Sequence, residues 1–451
     1  MALVSFAIAG TVSGCKRSKA PETTPVLHLP ALSRVKTFDP AFVEDPAEFE
    51  QVGLAYETLY QLHPAKESAP PIPAIAESAP ECSADRLVCK IRLKSGILFQ
   101  DDPAFRKLGG RGREITADDI VFSLKRVMDP EGRSPSRWGW VGRTVRAKPL
   151  TVLDRYTVQL NLTRPWPELS RFLAHPNHSI IPSEAVEFYG KEFGQRPVGS
   201  GPYRLEEFLP ESKIRWRKNP TFRREAFPSE LEGPDLGKAL PLMDRVEFLF
   251  FADVGGAWQQ FLTGGLDLSP VPPSEFASAA RPVGVRYFRT EESHFHIHAL
   301  NMANPLWENN RPLRQAVISA APALGSVPNP CRLNQASLSA FDPSSLPELE
   351  YLVLDDPVSI SIAEAASAAW KEAGIRTTIR RLGPSAMETA RHEGKAHLWI
   401  EYGDPVGDCS WLAAERRSAL WAAQPWLRNF RPHEFDAGSP KYYKVDQKHH
   451  D

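Results

Sequence analysis

Three histidines, His294, His296 and His298, alternate along a stretch that reads as a β-strand. Alternate strand residues point to one face, so three imidazoles could converge on a transition metal. Residues two apart stand in a row, and other ligands would have to close the shell; a solvated strand face is the competing explanation. His392, Glu393 and His397 do not make an HExxH pair, because the second histidine falls one position too late for the same helix face. Asp118 and Asp119 have the form of a paired-carboxylate acid/base site. They stand just after Thr116, however, where acidic residues complement the dipole of a starting helix. Ser200 lies in Gly-Ser-Gly without a GxSxG motif or the strand–elbow–helix context that exposes a nucleophile. The same run lacks the GxxxxGK[ST] of a phosphate loop. These residues favour binding over catalysis, and neither a cofactor nor a resident metal is expected.

The elements that position these residues follow from periodicity. Cys89, Ile91 and Leu93 alternate with Lys90 and Arg92 as in a half-buried strand. Thr116 and Asp119 approximate a capping box. Ile120, Leu124, Val127 and Met128 then share a helix face, and Asp129-Pro130 stops the helix. Residues Glu48–Gln61 read as one helix, and Tyr156–Leu162 alternates as a strand. In Pro197–Leu205 the glycines at 199 and 201 would permit positive φ, with Pro202 fixing a turn. Leu349–Leu354, Ile360–Ala373 and Ile375–Ile379 form a strand–helix–strand unit with Gly374 at the helix end, which implies parallel strands.

Composition sets the class. The 54 Lys+Arg nearly cancel the 55 Asp+Glu, so no basic excess points to nucleic acid. With 42 prolines among 451 residues, against a usual ~5%, long connections are stiffened. Residues 2–12 are apolar or small and too short to span a bilayer, which takes ~20 residues; they suit the core of a secretory signal. Val12-Ser13-Gly14-Cys15 resembles a bacterial lipobox, which makes Cys15 the expected lipidated residue, and residues 16–25 read as a polar tether. The remaining Cys82, Cys89, Cys331 and Cys409 are an even set that allows three pairings. Cys82 and Cys89 bracket Asp85, where a turn could join them, leaving Cys331 for Cys409.

Several runs carry a family resemblance. IRLKSGILFQDD from Ile91, GREITADD from Gly112 and VFSLKRVMDP from Val121 resemble the inserted subdomain of the extracellular solute-binding proteins of family 5, the peptide- and nickel-binding lipoproteins of ABC importers. So do GLAYETLYQL from Gly53, PVGSGPYRL from Pro197, FLTGGLDL from Phe261 and HIHALNMANPLWENNRPLRQAVISA from His296. PWLRNFRPHEFDAGSPKYYKVD from Pro425 resembles the family's C-terminal return to the first lobe. Beyond Ala321 the chain departs from the pattern with a short polar stretch, so the second lobe is shortened.

The resemblance implies an α/β, two-lobed periplasmic-binding-protein fold, type II-like and of cluster C, with an extra inserted subdomain. Residues 1–15 are then a lipoprotein signal and 16–25 the tether. Residues 26–62 and 175–265 build the first lobe, 63–174 the insert, 266–424 the second lobe and 425–451 the return. The resemblance also implies a ligand site at Trp399, Tyr402, Gly403 and Asp404, with Asp404 for a peptide's α-amino group and Asp408 as its fallback. Phe38, in the Lys36–Pro40 run, would lie near the cleft. A buried ammonium must be paired, because an isolated buried charge is very costly. The strand before Asp404 could add backbone hydrogen bonds to an extended peptide. The expected protein is a monomeric, lipid-anchored peptide carrier of the periplasm or cell envelope, delivering to an ABC permease. A nickel or metal-chelate carrier, a sensor or adaptor that has lost transport, and an exported hydrolase are the alternatives.

Overall fold

The computed structural model describes residues 25–64, 69–132, 134–231, 233–275, 282–291, 295–302, 304–308, 310–320, 342–355, 357–392, 396–403, 411–415, 418–432 and 438–446. Cys15, His294, Cys331, Asp404, Asp408 and Cys409 lie outside them.

The first lobe is built on a four-stranded sheet. Strand Val26–Ala31 runs parallel to Arg245–Phe250, which continues antiparallel into Lys213–Lys218 and Tyr203–Leu209. Alternation is clean: Leu27, Val246 and Trp216 are buried in one cross-strand row, while the rows on either side carry charges. The insert contributes a second antiparallel sheet, ordered Glu81–Cys82, Val88–Arg92, Thr157–Asn161, Leu150–Asp154. Cys82 and Cys89 stand opposite each other on its first two strands and form a disulfide with an S–S distance of 1.98 Å. Ile91 and Val158 of this sheet pack with Ile120 and Leu124 of helix Ala117–Met128.

That helix starts as the sequence suggests. The Asp119 carboxylate accepts the Thr116 N–H at 2.8 Å. Asp119 also takes both terminal nitrogens of Arg113 at 2.8 and 2.7 Å, and Arg113 reaches on to Glu184 at 2.6 and 2.7 Å. Asp119 is thus a buried structural carboxylate, while Asp118 is exposed. At the other end of the helix, Arg126 makes a bidentate pair with Asp39 of the first lobe at 2.9 and 2.8 Å. Such a fork-to-carboxylate pair adds geometric specificity as well as energy.

Two local expectations need correction. The first-lobe helix spans Pro46–Ala55 and does not continue to Gln61; Tyr56 is already extended, and Tyr60–Gln61 is a strand. The cause is tertiary. The 199–201 run closes over the end of this helix, and the Gly201 N–H donates to Ala55 O at 2.9 Å. Neither Gly199 nor Gly201 has positive φ. A Cβ on Gly199 would lie 2.2 Å from Ala55 O, and one on Gly201 2.4 Å from Ala55 C. These glycines serve a close backbone approach.

The second lobe is a five-stranded mixed sheet ordered Thr377–Leu382, Leu349–Leu354, Leu398–Gly403, Phe295–Leu300, Trp411–Glu415. Strand Leu349–Leu354 and strand Thr377–Leu382 are parallel and joined by helix Pro357–Glu372. Gly374, at φ +80°, ends that helix in the left-handed region, as a C-terminal cap requires. The core here holds Trp307, Tyr351, Trp370 and Ile400 and is separate from the first-lobe core. In a separate three-stranded sheet, strand Ser418–Ala423 lies between Leu268–Pro270 and Arg286–Glu291, and its Ala423 and the neighbouring Leu268 join the first-lobe core. Residues 427–432 and 438–445 then pack back on the first core through Leu427, Phe430, Tyr443 and Val445. Among the described residues no helix is long and apolar enough to cross a membrane.

Candidate ligand site

Strand Leu398–Gly403 is the described part of the ligand site expected from sequence. It pairs along its length with Phe295–Leu300, placing Tyr402 opposite His296 and Gly403 opposite Phe295. Its pairing with Leu349–Leu354 is confined to Leu398 and Trp399. From Ile400 onward one backbone edge therefore lies outside that ladder, the condition for adding an extended peptide. Trp399 is half-buried, with the Arg391 guanidinium 4.8 Å from its ring centroid. Arg391 belongs to helix Pro384–His392, which touches the insert at the turn Pro135–Gly139.

Phe38 does not belong to a ligand surface. It is fully buried, edge-on to Phe208 at 5.1 Å and Trp216 at 5.7 Å. An apolar ring flanked by two others is held in the core by burial and by the favoured edge geometry. The polar neighbour is what the segment presents: Asp39, which holds Arg126. The histidine row is likewise not a metal face at its described end. His298 is buried beside Tyr351 and Trp370, with its Nδ1 hydrogen-bonded to the Tyr351 hydroxyl. Among the described residues no three metal-type ligands converge.

Sequence reasoning missed a cavity of about 610 Å³ between the first lobe, the insert and the C-terminal return. That size suits a small ligand, whose pockets span roughly 300–1,000 Å³. The turn touched by helix Pro384–His392 lines it through Ser136 and Gly139. One wall is aromatic: Trp166, Phe172, His175 and His178. Trp140 backs this wall edge-on to Phe172 at 5.0 Å, and its Nε1–H donates to His178 Nε2 at 3.2 Å. Burial pushes the His178 imidazole down to about 3, helped by the nearby His175, and burial pushes His175 to about 4. Both rings are neutral at physiological pH.

The opposite side is ionic. Lys441 Nζ donates to Gln61 at 2.9 Å and to both Glu225 oxygens at 3.0 Å. Arg223 Nε donates to Glu57 at 2.5 Å. Against burial, which alone would raise it, the Lys441 and Arg223 charges hold Glu225 at about 2. Two groups on the lining retain capacity. Glu57 Oε2 is buried without a hydrogen-bond partner among the described residues. Arg143 lies over Trp166 at 4.4 Å and has no carboxylate partner among the described residues. Burial and the Arg164 charge both lower its basicity. The lining can therefore hold an apolar body while pairing a carboxylate at one group and an N–H at another.

A family model described as "Bacterial extracellular solute-binding proteins, family 5 Middle" matches residues 70–323. The chain belongs to this family. Over 258 residues this family 5 protein is 30% identical to Di/tripeptide-binding protein 2 of Pseudomonas aeruginosa strain UCBPP-PA14, covering 54% of this chain and 44% of that one. It is 29% identical over 146 residues to the glutathione-binding protein GsiB of Salmonella typhimurium, covering 32% and 26%. The matches thus span less than half the length of these relatives. Its fold is similar to DppA of Helicobacter pylori, an ABC transporter-associated periplasmic binding protein solved with the peptide STSA. The TM-score is 0.71 at 16% identity, over 94% of this chain and 98% of that one. The two-lobed periplasmic-binding fold is shared.

Proposed function

We propose that this family 5 protein is the peptide-capturing component of an ABC importer. It binds short peptides between its lobes and presents the closed form to a membrane permease. The family match over residues 70–323 carries the reading, and the identity to a di/tripeptide-binding relative supports peptides as the ligand class. Selectivity would reside in differential stabilisation of the closed state, so no covalent step is needed. The chain is lipidated at Cys15, held at the cell envelope and active as a monomer. Asp404 pairs the peptide ammonium, Tyr402 and Gly403 offer strand backbone, and Asp408 is the second acidic group of the same run. The cavity beside Arg143 accommodates an amphipathic group of the bound peptide.

Native mass spectrometry of the purified chain tests the ligand class: co-purified or added di- and tripeptides should appear as stoichiometric adducts. Melting insensitive to a varied peptide mixture, with no adducts, would remove peptides as the ligand. Asp404→Ala should weaken free-amine peptides at least about tenfold while leaving their N-acetylated forms nearly unchanged, as read by calorimetric titration. Equal weakening of both forms would take Asp404 out of the amine site.

A further inference from the structure

The outer face of the first-lobe sheet carries two neighbouring cross-strand rows of opposite design. In one, Glu247, Arg215 and Glu207 stand opposite one another on three strands and alternate in sign. Arg215 bonds Glu247 at 2.8 Å through Nε and lies 3.1 Å from Glu207. In the other row, Arg245, Arg217 and Arg204 are in register on the same three strands. Like charges directly opposite each other repel. Among the described residues only Glu206 makes ion pairs with them, 3.1 Å from Arg245 and 3.6 Å from Arg217. Arg204 has no carboxylate partner among the described residues. Beside this row is a hollow of about 540 Å³, also lined by Lys218, Asn219 and the exposed Asp244.

The row ends at the strand where the chain enters the fold. Val26, the first residue of strand Val26–Ala31, pairs directly with Arg245. Only residues 16–25 separate it from Cys15, a span of at most about 35 Å. Those residues include Lys16, Arg17 and Lys19 against one acid, Glu22. A chain anchored at Cys15 would therefore hold the arginine row within reach of the bilayer surface. Guanidinium groups suit phosphate oxygens through bidentate contacts, and basic groups near an anionic leaflet gain attraction within a Debye length.

We propose that the Arg204–Arg217–Arg245 row is a membrane-facing surface that binds anionic phospholipid headgroups. The proposal rests on the lipid anchor read at Cys15, since the anchor brings this edge to the bilayer. The row then orients the first lobe on the membrane.

The test uses the full-length chain as Cys15→Ser, so that no acyl group contributes, in co-sedimentation with phosphatidylglycerol-containing or pure phosphatidylcholine vesicles at low salt. Binding should require phosphatidylglycerol, weaken with added salt, and fall at least about tenfold in Arg204→Gln/Arg217→Gln. Arg245 is left in place because it makes the closer pair with Glu206, at 3.1 Å against 3.6 Å for Arg217, and an unchanged melting temperature shows that the double variant folds. Equal binding by variant and parent, or no binding by either, overturns the proposal. So does a double variant that binds vesicles normally but loses permease stimulation, which would assign the row to a protein surface. Mass spectrometry of acylation at Cys15 in membrane-purified wild type reports separately on the anchor.

Discussion

Gly201→Ala is expected to destabilise the protein by about 3 kcal/mol or more, with a lower thermal midpoint and a poor yield of folded chain. Overpacking a tight core costs typically about 1–3 kcal/mol, occasionally more, and here the clash is with backbone. The added methyl would lie 2.4 Å from Ala55 C and 2.5 Å from Leu54 O. The end of a helix has no rotamer with which to yield. Relief requires the 199–201 run to lift away, and that strains three bonds: Gly201 N–H to Ala55 O at 2.9 Å, Asn219 Nδ2–H to Gly201 O at 2.9 Å, and Gln100 N–H to Gly199 O at 2.8 Å. Gly142→Ala is the informative comparison. Gly142 has φ +70° but open space around its Cβ, so strain there costs on the order of 1 kcal/mol. If Gly201→Ala melts no lower than Gly142→Ala, the close approach does not control stability.

Mild acid should destabilise the folded chain, and His178 should account for a measurable share. An unfolded histidine titrates near 6.5; in the fold His178 titrates at about 3 and His175 at about 4. Between these values the unfolded chain binds protons that the folded chain excludes, so stability is fully present above about 6.5 and falls as pH drops. At pH 4.5 His178 alone corresponds to about 2–3 kcal/mol. Protonation adds charge to a buried ring that already accepts the Trp140 indole N–H on Nε2. Glu225, held at about 2, remains ionised at this pH. His178→Gln can still accept from Trp140 and cannot titrate. The gap between its denaturant midpoints at pH 7 and 4.5 should be smaller than in wild type. An unchanged gap would place the acid sensitivity elsewhere.

What the sequence revealed is what local rules control. The strand at Cys89–Leu93, the helix entry at Thr116 and the stop at Asp129-Pro130 follow from alternation, capping and proline, all within a few residues. The Cys82–Cys89 pair was legible for the same reason, since its loop is short. Long-range partners were not. Arg113 joins Asp119 to Glu184, which lies 71 residues from Arg113, and nothing near Asp119 announces it. The apolar pattern of the first-lobe helix continues through Tyr56 and Leu59, whereas its actual end is set by Gly201, far along the chain. The motif around Phe38 implies a position near a cleft, but Phe208 and Trp216 take the ring inside.

The candidate site divides in the same way. The strand before Asp404 could be found because it is one contiguous run. The cavity could not, because Glu57, Arg143, Trp166, His178 and Lys441 come from separate segments with no common spacing. The weak signal was compositional: Trp166, Phe172, His175 and His178 crowd aromatic and imidazole rings into a short stretch that no secondary-structure pattern requires.

The Arg126–Asp39 fork sits where two parts of the chain meet, and its neighbours extend the union. Ile91, Ile120 and Leu124 from the insert lie in the same buried cluster as Leu27, Trp216 and Phe248 from the first lobe. The insert is therefore an insertion in chain order only. It is not a cassette that could be excised with its ends spliced, or grafted onto another carrier. Its removal would strip hydrophobic cover from the first lobe and leave Asp39 without the guanidinium of Arg126. The insert and the first lobe therefore share one interior, and a substitution on either side of it is felt by both.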